Sequence, residues 1–134
     1  MPALPRCKMT GGCLCSAVRF TARLVADDLQ ACHCGQCRRW SGYVWAGISA
    51  QLSIGRGDGL RWFRSSDHAR RGFCGQCGSS LFWQQDGASV TEIAAGAFDH
   101  PDALRLVGHI HTAGRPAHDQ ITDGLPQYPA GAPQ

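Results

Sequence analysis

Hydrophobic and polar residues alternate over short stretches of this chain, and glycines separate many of these stretches. Within residues 15–24, Val18 and Phe20 fall on one side of an extended chain, while Arg19 and Thr21 fall on the other. A period of two residues is typical of a half-buried β-strand. Similar runs predict further strands at residues 43–48, 60–63, 80–83, 90–94 and 107–112.

The segments between these runs predict turns and two short helices. Residues 55–59 contain three glycines, which tolerate the positive φ of tight turns, and they predict a turn. The helices are expected at 36–40 and 101–106. At 134 residues, the chain is expected to form one mainly β domain of short antiparallel strands. We assign this domain to residues 10–129, between an N-terminal arm (1–9) and a C-terminal tail (130–134).

Eight cysteines are more than a chain of this length carries by chance. The first residues show no signal-peptide pattern, and no apolar run approaches the length of a membrane span. We therefore expect a cytoplasmic protein with no membrane partner. Thiols stay reduced in that compartment, so clustered cysteines are better interpreted as metal ligands than as disulfides.

The formal net charge of +3 does not predict a nucleic-acid partner. Thiolates must be deprotonated to bind Zn²⁺, so a four-thiolate and a three-thiolate site would together add about three negative charges. The lysines and arginines are also dispersed, with adjacent pairs at Arg38 and Arg39 and at Arg70 and Arg71. The zinc-loaded protein is therefore expected to be close to neutral.

Two cysteine pairs that lie far apart in the sequence predict a closed zinc site. Cys13 and Cys15 are two residues apart, so both thiols face the same way in an extended strand. Cys74 and Cys77 form a C-x-x-C pair followed by Gly78, which is the pattern of a zinc knuckle. Four thiolates saturate a tetrahedral Zn²⁺, and a saturated zinc site is structural.

A third group, Cys32, Cys34 and Cys37, offers three thiols within six residues. Catalytic zinc is usually held by three protein ligands with one position open, so these residues are the predicted ligands of a second, catalytic Zn²⁺. A plant-type iron–sulfur cluster would need a cysteine where Trp40 stands. Thiol redox chemistry is the alternative, although the three thiols cannot all pair with one another.

Two residues close to the third group have alternative interpretations. Cys7 is either a free thiol on the N-terminal arm or a fourth ligand that closes the group. Arg38 directly follows the third thiolate and is either solvated, together with Arg39, or the anchor of a substrate carboxylate.

The histidines are expected to support the fold or to lie at the surface. His33 lies between ligands and is expected to point away from the metal. His109 and His111 either form a metal pair on one strand face or are solvated or hydrogen-bonded. Surface positions are expected for His68, His100 and His118.

The cysteine motifs occur in a distinctive order: Gly12-Cys13-x-Cys15, Cys32-His33-Cys34-x-x-Cys37-Arg38 and Phe73-Cys74-x-x-Cys77-Gly78-x-x-Leu81. The late segments are His109-Ile110-His111, Asp123-Gly124-Leu125-Pro126 and Tyr128-Pro129. Over roughly residues 10–129 this order resembles the glutathione-dependent formaldehyde-activating family, which also includes centromere protein V. Ser16 departs from the family pattern, in which glycine is common, and His118 stands where an aromatic residue is expected near the substrate pocket.

The resemblance implies a β-rich fold with zinc-ribbon-like C-x-x-C knuckles. It implies structural zinc on Cys13, Cys15, Cys74 and Cys77, and catalytic zinc on Cys32, Cys34 and Cys37. It also implies the family's named activity, which joins formaldehyde to glutathione and is formally a carbon–sulfur lyase reaction in reverse.

The sequence therefore predicts a zinc-dependent enzyme of the carbon–sulfur lyase type, similar to S-(hydroxymethyl)glutathione synthase. Its expected partners are a small thiol and an aldehyde, with glutathione and formaldehyde implied by the resemblance. The alternatives are a zinc-stabilised module that binds these molecules without turnover, and a protein-interaction module. Acceleration above the uncatalysed reaction distinguishes the enzyme from both.

Overall fold

The computed structural model describes residues 8–132. Its regular elements are, in chain order, β1 (Lys8–Gly12), β2 (Val18–Leu24), β3 (Asp28–Cys32), α1 (Gly35–Ser41), β4 (Trp45–Gly57), β5 (Leu60–Arg64), β6 (Ala69–Cys74), β7 (Ser80–Gln85), β8 (Thr91–Ala94) and β9 (Arg105–Ile110), with 3₁₀ turns at Ala95–Ala97, Pro101–Ala103 and Thr112–Gly114. No helix within residues 8–132 is long and apolar enough to cross a bilayer.

The strands form a sheet in the order β1-β2-β4-β8-β7-β6-β5, in which all neighbours are antiparallel. The 13-residue strand β4 joins two parts of this sheet. Its first three residues pair with β3, and its residues from Ala50 onward pair with β2. Strand β9 extends the β3 side by pairing with β3 in parallel. This arrangement brings β3 beside the start of β4.

The main hydrophobic core lies on one face of the sheet. Alternate residues of β2 point into it, as the period-two pattern predicts, and Val18 and Ala22 are fully buried. Phe20 lies between them and packs edge-to-face on Phe82 and Phe98, with ring centroids 5.4 and 5.7 Å away. The aromatic contacts connect β2, β7 and the segment after β8.

The predicted mainly β, antiparallel fold is confirmed, and strand pairing explains where element boundaries differ. The predicted turn at 55–59 shortens to two residues, because β4 pairs with β2 as far as Gly57. The predicted helix at 101–106 is one 3₁₀ turn, Pro101–Ala103, since β9 begins at Arg105 and takes its hydrogen bonds from β3. The helix expected at 36–40 is α1.

Three strands lie outside the predicted runs. β1 begins at Lys8, so residues 8 and 9 of the predicted arm belong to the sheet and pair with β2. β6 carries the charged residue Arg71 at a buried position, which obscures its alternation. β3 does alternate, with Leu29 and Ala31 buried and Gln30 half-buried between them, but the strand is short and three of its five residues are polar or cysteine. The side chains of Arg71 and Gln30 both face the site described next.

Candidate functional site

Four cysteine thiols from two distant turns converge at one point. The sulfurs of Cys13, Cys15, Cys74 and Cys77 all lie within 4.8 Å of one another. The Cys15 sulfur is 3.7 Å from that of Cys13 and 3.7 Å from that of Cys74. Zinc–thiolate bonds of about 2.3 Å place the sulfurs of a tetrahedral site about 3.8 Å apart. The four-thiol group could therefore hold a tetrahedral metal ion.

The backbone around the four-thiol group is shaped to present the sulfurs. The Val18 amide donates to the Cys13 sulfur at 3.2 Å, and the Gln76 amide donates to the Cys74 sulfur at 3.4 Å. Each turn ends in a left-handed residue, Ser16 at φ 69° and Gly78 at φ 82°. Glycine adopts this conformation freely, but serine does so at a cost. Ser16 thus marks a position where the backbone conformation favours glycine.

The three thiols of Cys32, Cys34 and Cys37 form a second group, also within 4.8 Å of one another. Cys32 ends β3, and Cys34 caps α1 by accepting a hydrogen bond from the Cys37 amide at 3.3 Å. Within residues 8–132, no fourth histidine, cysteine or acidic group joins these thiols. Cys7, the predicted alternative ligand, lies outside the described residues.

The environment of the three-thiol group favours the ionised form of one thiol. The pKa of Cys37 is lowered to about 5 by the hydrogen bond with Cys32 and, against the effect of burial, by the Arg71 guanidinium. Arg71 Nη2 lies 3.4 Å from the Cys37 sulfur. The pKa of Cys32 is raised, because its hydrogen bond to Cys37 and its burial both favour the neutral thiol. A buried arginine thus offsets negative charge at this group.

A cavity of about 350 Å³ adjoins the three-thiol group. The cavity lies on the face of the sheet opposite the main core. Strand pairing places the side chains that line it next to one another on that face. Gln30 pairs with Gly47 and Cys32 with Trp45, so β3 and β4 present these side chains to one face. The lining residues are Gln30, Cys32, Cys34, Gln36, Cys37, Trp45, Gly47, Ser66, His68, Arg71, Trp83, Glu92, Ile110 and His111.

Residues of β8, β7 and β6 continue this face of the sheet, because their side chains lie side by side in the strand pairing. Trp83 pairs with Glu92 of β8 on one side and with Arg71 of β6 on the other. Gly47 lets the Trp45 indole lie flat along the cavity wall, since a Cβ at Gly47 would stand 2.5 Å from that ring. The wall therefore combines two indoles with one buried cation.

Three polar atoms on lining residues are buried and find no hydrogen-bond partner in the described part of the chain: Arg71 Nη1, Trp45 Nε1 and Gln30 Oε1. Buried polar groups in native proteins are nearly always paired, and an unpaired one costs about 1–3 kcal/mol. Unpaired polar groups around a cavity that also exposes candidate metal ligands are typical of a binding site.

Another cleft, of about 820 Å³, is larger and more open. It lies beside Cys13 and is lined mostly by small residues. Its charged residues, Arg19 and Asp99, form an ion pair with each other. We regard the smaller cavity as the candidate active site, because three of its polar atoms are unpaired within residues 8–132 and the three thiols of Cys32, Cys34 and Cys37 line it.

The structure does not bring Arg38 into this cavity. Arg38 lies half-buried on α1, and the arginine that lines the cavity is Arg71. The sequence gives little sign of Arg71, since Arg70 beside it interrupts the alternation of β6. Arg70 faces the other way, bound to Gln84 and stacked 3.9 Å from the Trp62 ring.

The histidines form a buried network rather than a metal pair. His33 points away from the thiols, as expected, and its Nδ1 lies 2.6 Å from an Asp119 oxygen. Its Nε2 lies 2.8 Å from Nδ1 of His109, whose Nε2 lies 2.8 Å from an Asp123 oxygen. Of the two roles that the sequence left open for His109, the structure shows the hydrogen-bonded one rather than the metal pair. Asp119 and Asp123 of this network were not predicted as site residues.

The remaining histidines lie at exposed positions. His111 follows β9 in a left-handed conformation and does not share the network of His109, although it borders the cavity. His68 and His100 are exposed as predicted, and His68 also borders the cavity. His118, also exposed, stacks on Tyr43 with ring centroids 6.1 Å apart.

The chain is similar to known proteins at three levels. Residues 8–114 match the family model described as glutathione-dependent formaldehyde-activating enzyme. An uncharacterized lyase of Schizosaccharomyces pombe is 32% identical over 75 residues, which cover 54% of this chain and 55% of the relative. The chain thus spans about half the length of this curated relative. The crystal structure of a Rhodobacter sphaeroides protein has a TM-score of 0.61 and 21% identity, covers 89% of this chain and 99% of that chain, and supports the fold.

Proposed function

Because this chain belongs to the glutathione-dependent formaldehyde-activating enzyme family, we propose that it is a zinc-dependent enzyme of the carbon–sulfur lyase type. The reaction joins a thiol to formaldehyde or a related small electrophile, and glutathione is the thiol that the family description names. One observation carries the proposal: the thiols of Cys32, Cys34 and Cys37 converge at a cavity, and no fourth ligand joins them within residues 8–132.

The two thiol groups are proposed to hold Zn²⁺ for different purposes. The tetrahedral spacing of Cys13, Cys15, Cys74 and Cys77 suits a saturated structural ion. The open three-thiol group suits a catalytic ion, and its donor set favours zinc over the hard cations that prefer oxygen ligands. All seven cysteines within residues 8–132 are free thiols, which agrees with a reducing compartment such as the cytoplasm.

Zn²⁺ bound to Cys32, Cys34 and Cys37 would supply Lewis acidity to an aldehyde oxygen, or favour the thiolate form of an incoming thiol. The chain's own residues place the reactants. Trp45 and Trp83 provide apolar walls that restrict water, and Arg71 balances the charge of the thiolates. Holding a thiol and an aldehyde together in one cavity removes much of the entropy cost of a bimolecular step.

The bond changes balance without any oxidant or reductant. The thiol sulfur forms a bond to the carbonyl carbon, and the π electron pair of the carbonyl moves to its oxygen. The proton that leaves the sulfur ends on that oxygen. The product is a hydroxymethyl thioether when the aldehyde is formaldehyde.

Elemental analysis and exchange kinetics test the proposal. We expect two zinc ions per wild-type chain, and one per chain in Cys34→Ser. Two-dimensional NMR exchange between formaldehyde, glutathione and their adduct measures acceleration above the spontaneous rate, which we expect in wild type and not in Cys34→Ser. Zinc-loaded wild type that binds glutathione without acceleration would contradict the enzymatic proposal and favour the binding module.

Cys7→Ser tests whether the second site is open. We expect this variant to keep two zinc ions and the full acceleration. Loss of one ion would mean that Cys7 closes the three-thiol group, and the proposed catalytic role of that group would be wrong.

A further inference from the structure

Arg71 is buried in the cavity wall with one terminal nitrogen unused. Arg71 is 4% exposed, and its Nη1 has no hydrogen-bond partner among residues 8–132. The other two nitrogens are occupied: Nε and Nη2 donate to Gln36 Oε1 at 3.0 and 2.8 Å. A guanidinium is planar and rigid, so this fork fixes the direction of the free Nη1.

The position of Arg71 places this free donor next to the reacting group. Nη2 lies 3.4 Å from the Cys37 sulfur, and Nη1 is bonded to the same carbon as Nη2. An anion on Nη1 would therefore lie near the Cys37 sulfur.

The surroundings strengthen an ion pair at this position. The central guanidinium carbon lies 6.0 Å from the Trp45 ring centroid, and apolar rings lower the local dielectric constant. The acidic residue of the cavity wall, Glu92, is hydrogen-bonded by the Ser49 hydroxyl. A carboxylate is the anion that a guanidinium recognises best, together with phosphate.

We infer that Arg71 Nη1 binds the carboxylate of a substrate in which a short linker separates the carboxylate from the reacting atom. The inference rests on the proposed function, because the reacting atom is the thiol sulfur or the aldehyde carbon held at Cys32, Cys34 and Cys37. It names a substrate class: a short mercapto acid or a short aldehyde acid. Glutathione differs from this class, since peptide bonds separate its carboxylates from its sulfur.

Matched pairs of probes test the inference on the zinc-loaded wild-type chain. Calorimetry compares mercaptoacetate with 2-mercaptoethanol, in which a hydroxymethyl group replaces the carboxylate. A second pair compares glyoxylate with acetaldehyde. A charge-assisted hydrogen bond is typically worth about a 10- to 100-fold change in affinity, and we expect such a preference for the acid in at least one pair. The pair that shows it identifies which reactant carries the carboxylate.

Variants assign the preference to Arg71. Arg71→Gln should lose it, and Arg71→Lys should keep part of it, because the charge remains while the fork is lost. Arg70→Gln is the matched control, since Arg70 lies on the other face of β6, and it should keep the full preference. Zinc content is measured for each variant, so that failure to bind metal is recognised.

The outcomes separate this inference from the proposed function. Equal binding of acid and neutral probe in both pairs, or a preference that persists in zinc-loaded Arg71→Gln, would overturn the inference. If the inference about Arg71 fails in this way but the wild type still accelerates the addition of formaldehyde to glutathione, the proposed function stands. The wild-type probe pairs give a result even if Arg71→Gln does not fold.

Discussion

Nε2 of His33 lies 2.8 Å from Nδ1 of His109, and both rings are buried. This contact joins the loop that carries the three-thiol group to β9. Asp119 and Asp123 continue the network on either side, so it also ties the segment after β9 to the same loop. The thiol group is thereby supported by residues that are more than 70 positions away in the sequence.

Replacing His109 should weaken the fold measurably. We expect His109→Ala to lower the free energy of unfolding by about 2–3 kcal/mol, because a cavity forms and His33 Nε2 loses its buried partner. Urea unfolding of zinc-loaded protein measures the change. His100→Ala, at an exposed position, is the control and should stay within about 0.5 kcal/mol of wild type. An unchanged His109→Ala would mean that the network contributes no net stability.

The two thiol groups should respond differently to loss of one ligand. Structural zinc contributes about 10–16 kcal/mol in small modules, and domains are stable by only about 5–15 kcal/mol. Cys74→Ala should therefore give insoluble or molten protein. Cys34→Ala should stay folded and lose one zinc ion, as circular dichroism and elemental analysis would report. Equal collapse of both variants would argue that the second group is structural too.

Ser16→Gly should stabilise the chain. Ser16 has a φ of 69°, and a left-handed conformation costs a non-glycine residue about 1–2 kcal/mol. Glycine in the unfolded chain offsets about 0.5–1 kcal/mol of that gain. We expect a rise in Tm of about 2–4 °C in thermal unfolding.

Ser53→Gly is the matched control for Ser16→Gly. Ser53 lies within β4, where glycine loses more conformational freedom on folding and packs no side chain. This variant should lower Tm. A lower Tm in Ser16→Gly as well would show that the turn is not strained in solution.

Gly47→Ala should disturb the cavity without touching a thiol. The added Cβ would stand 2.5 Å from the Trp45 ring, so the indole must move. We expect a shift in tryptophan fluorescence and about tenfold weaker binding of thiol substrates, in line with roughly 1–2 kcal/mol of lost contacts. Gly96→Ala is the control, because nothing lies within 4 Å of a Cβ added there. Unchanged binding in Gly47→Ala would place the substrate elsewhere.

The cysteine spacing predicts both thiol groups because the relevant geometry is local. Turns of two or three residues bring Cys13 close to Cys15 and Cys74 close to Cys77. Only the contact between these two pairs depends on the tertiary fold. The alternation of β2 is equally local, since every second side chain enters the same core. These features depend on few long-range contacts.

The cavity could not be predicted in the same way, because distant strands build it. Arg71 reaches the three-thiol group through the pairing of β6 with β7 and of β7 with β8, and no spacing in the sequence encodes that register. Arg38 was predicted because it is next to Cys37 in the sequence. It lies on α1 and does not line the cavity, whereas Arg71, which is distant in the sequence, does. The histidine network likewise depends on the segment after β9, which reaches His33 because β9 pairs with β3.

Cys34 has two roles in one atom: its sulfur caps the first turn of α1 and is also a proposed metal ligand. Helix order and metal occupancy are therefore thermodynamically linked, since each favours the same placement of that sulfur. Chelation should loosen the first turn of α1 and with it Gln36, whose amide oxygen orients Arg71. In a cell that is short of zinc, the chain would then lose its charged recognition element together with its ion, and it would recover both when the metal returns.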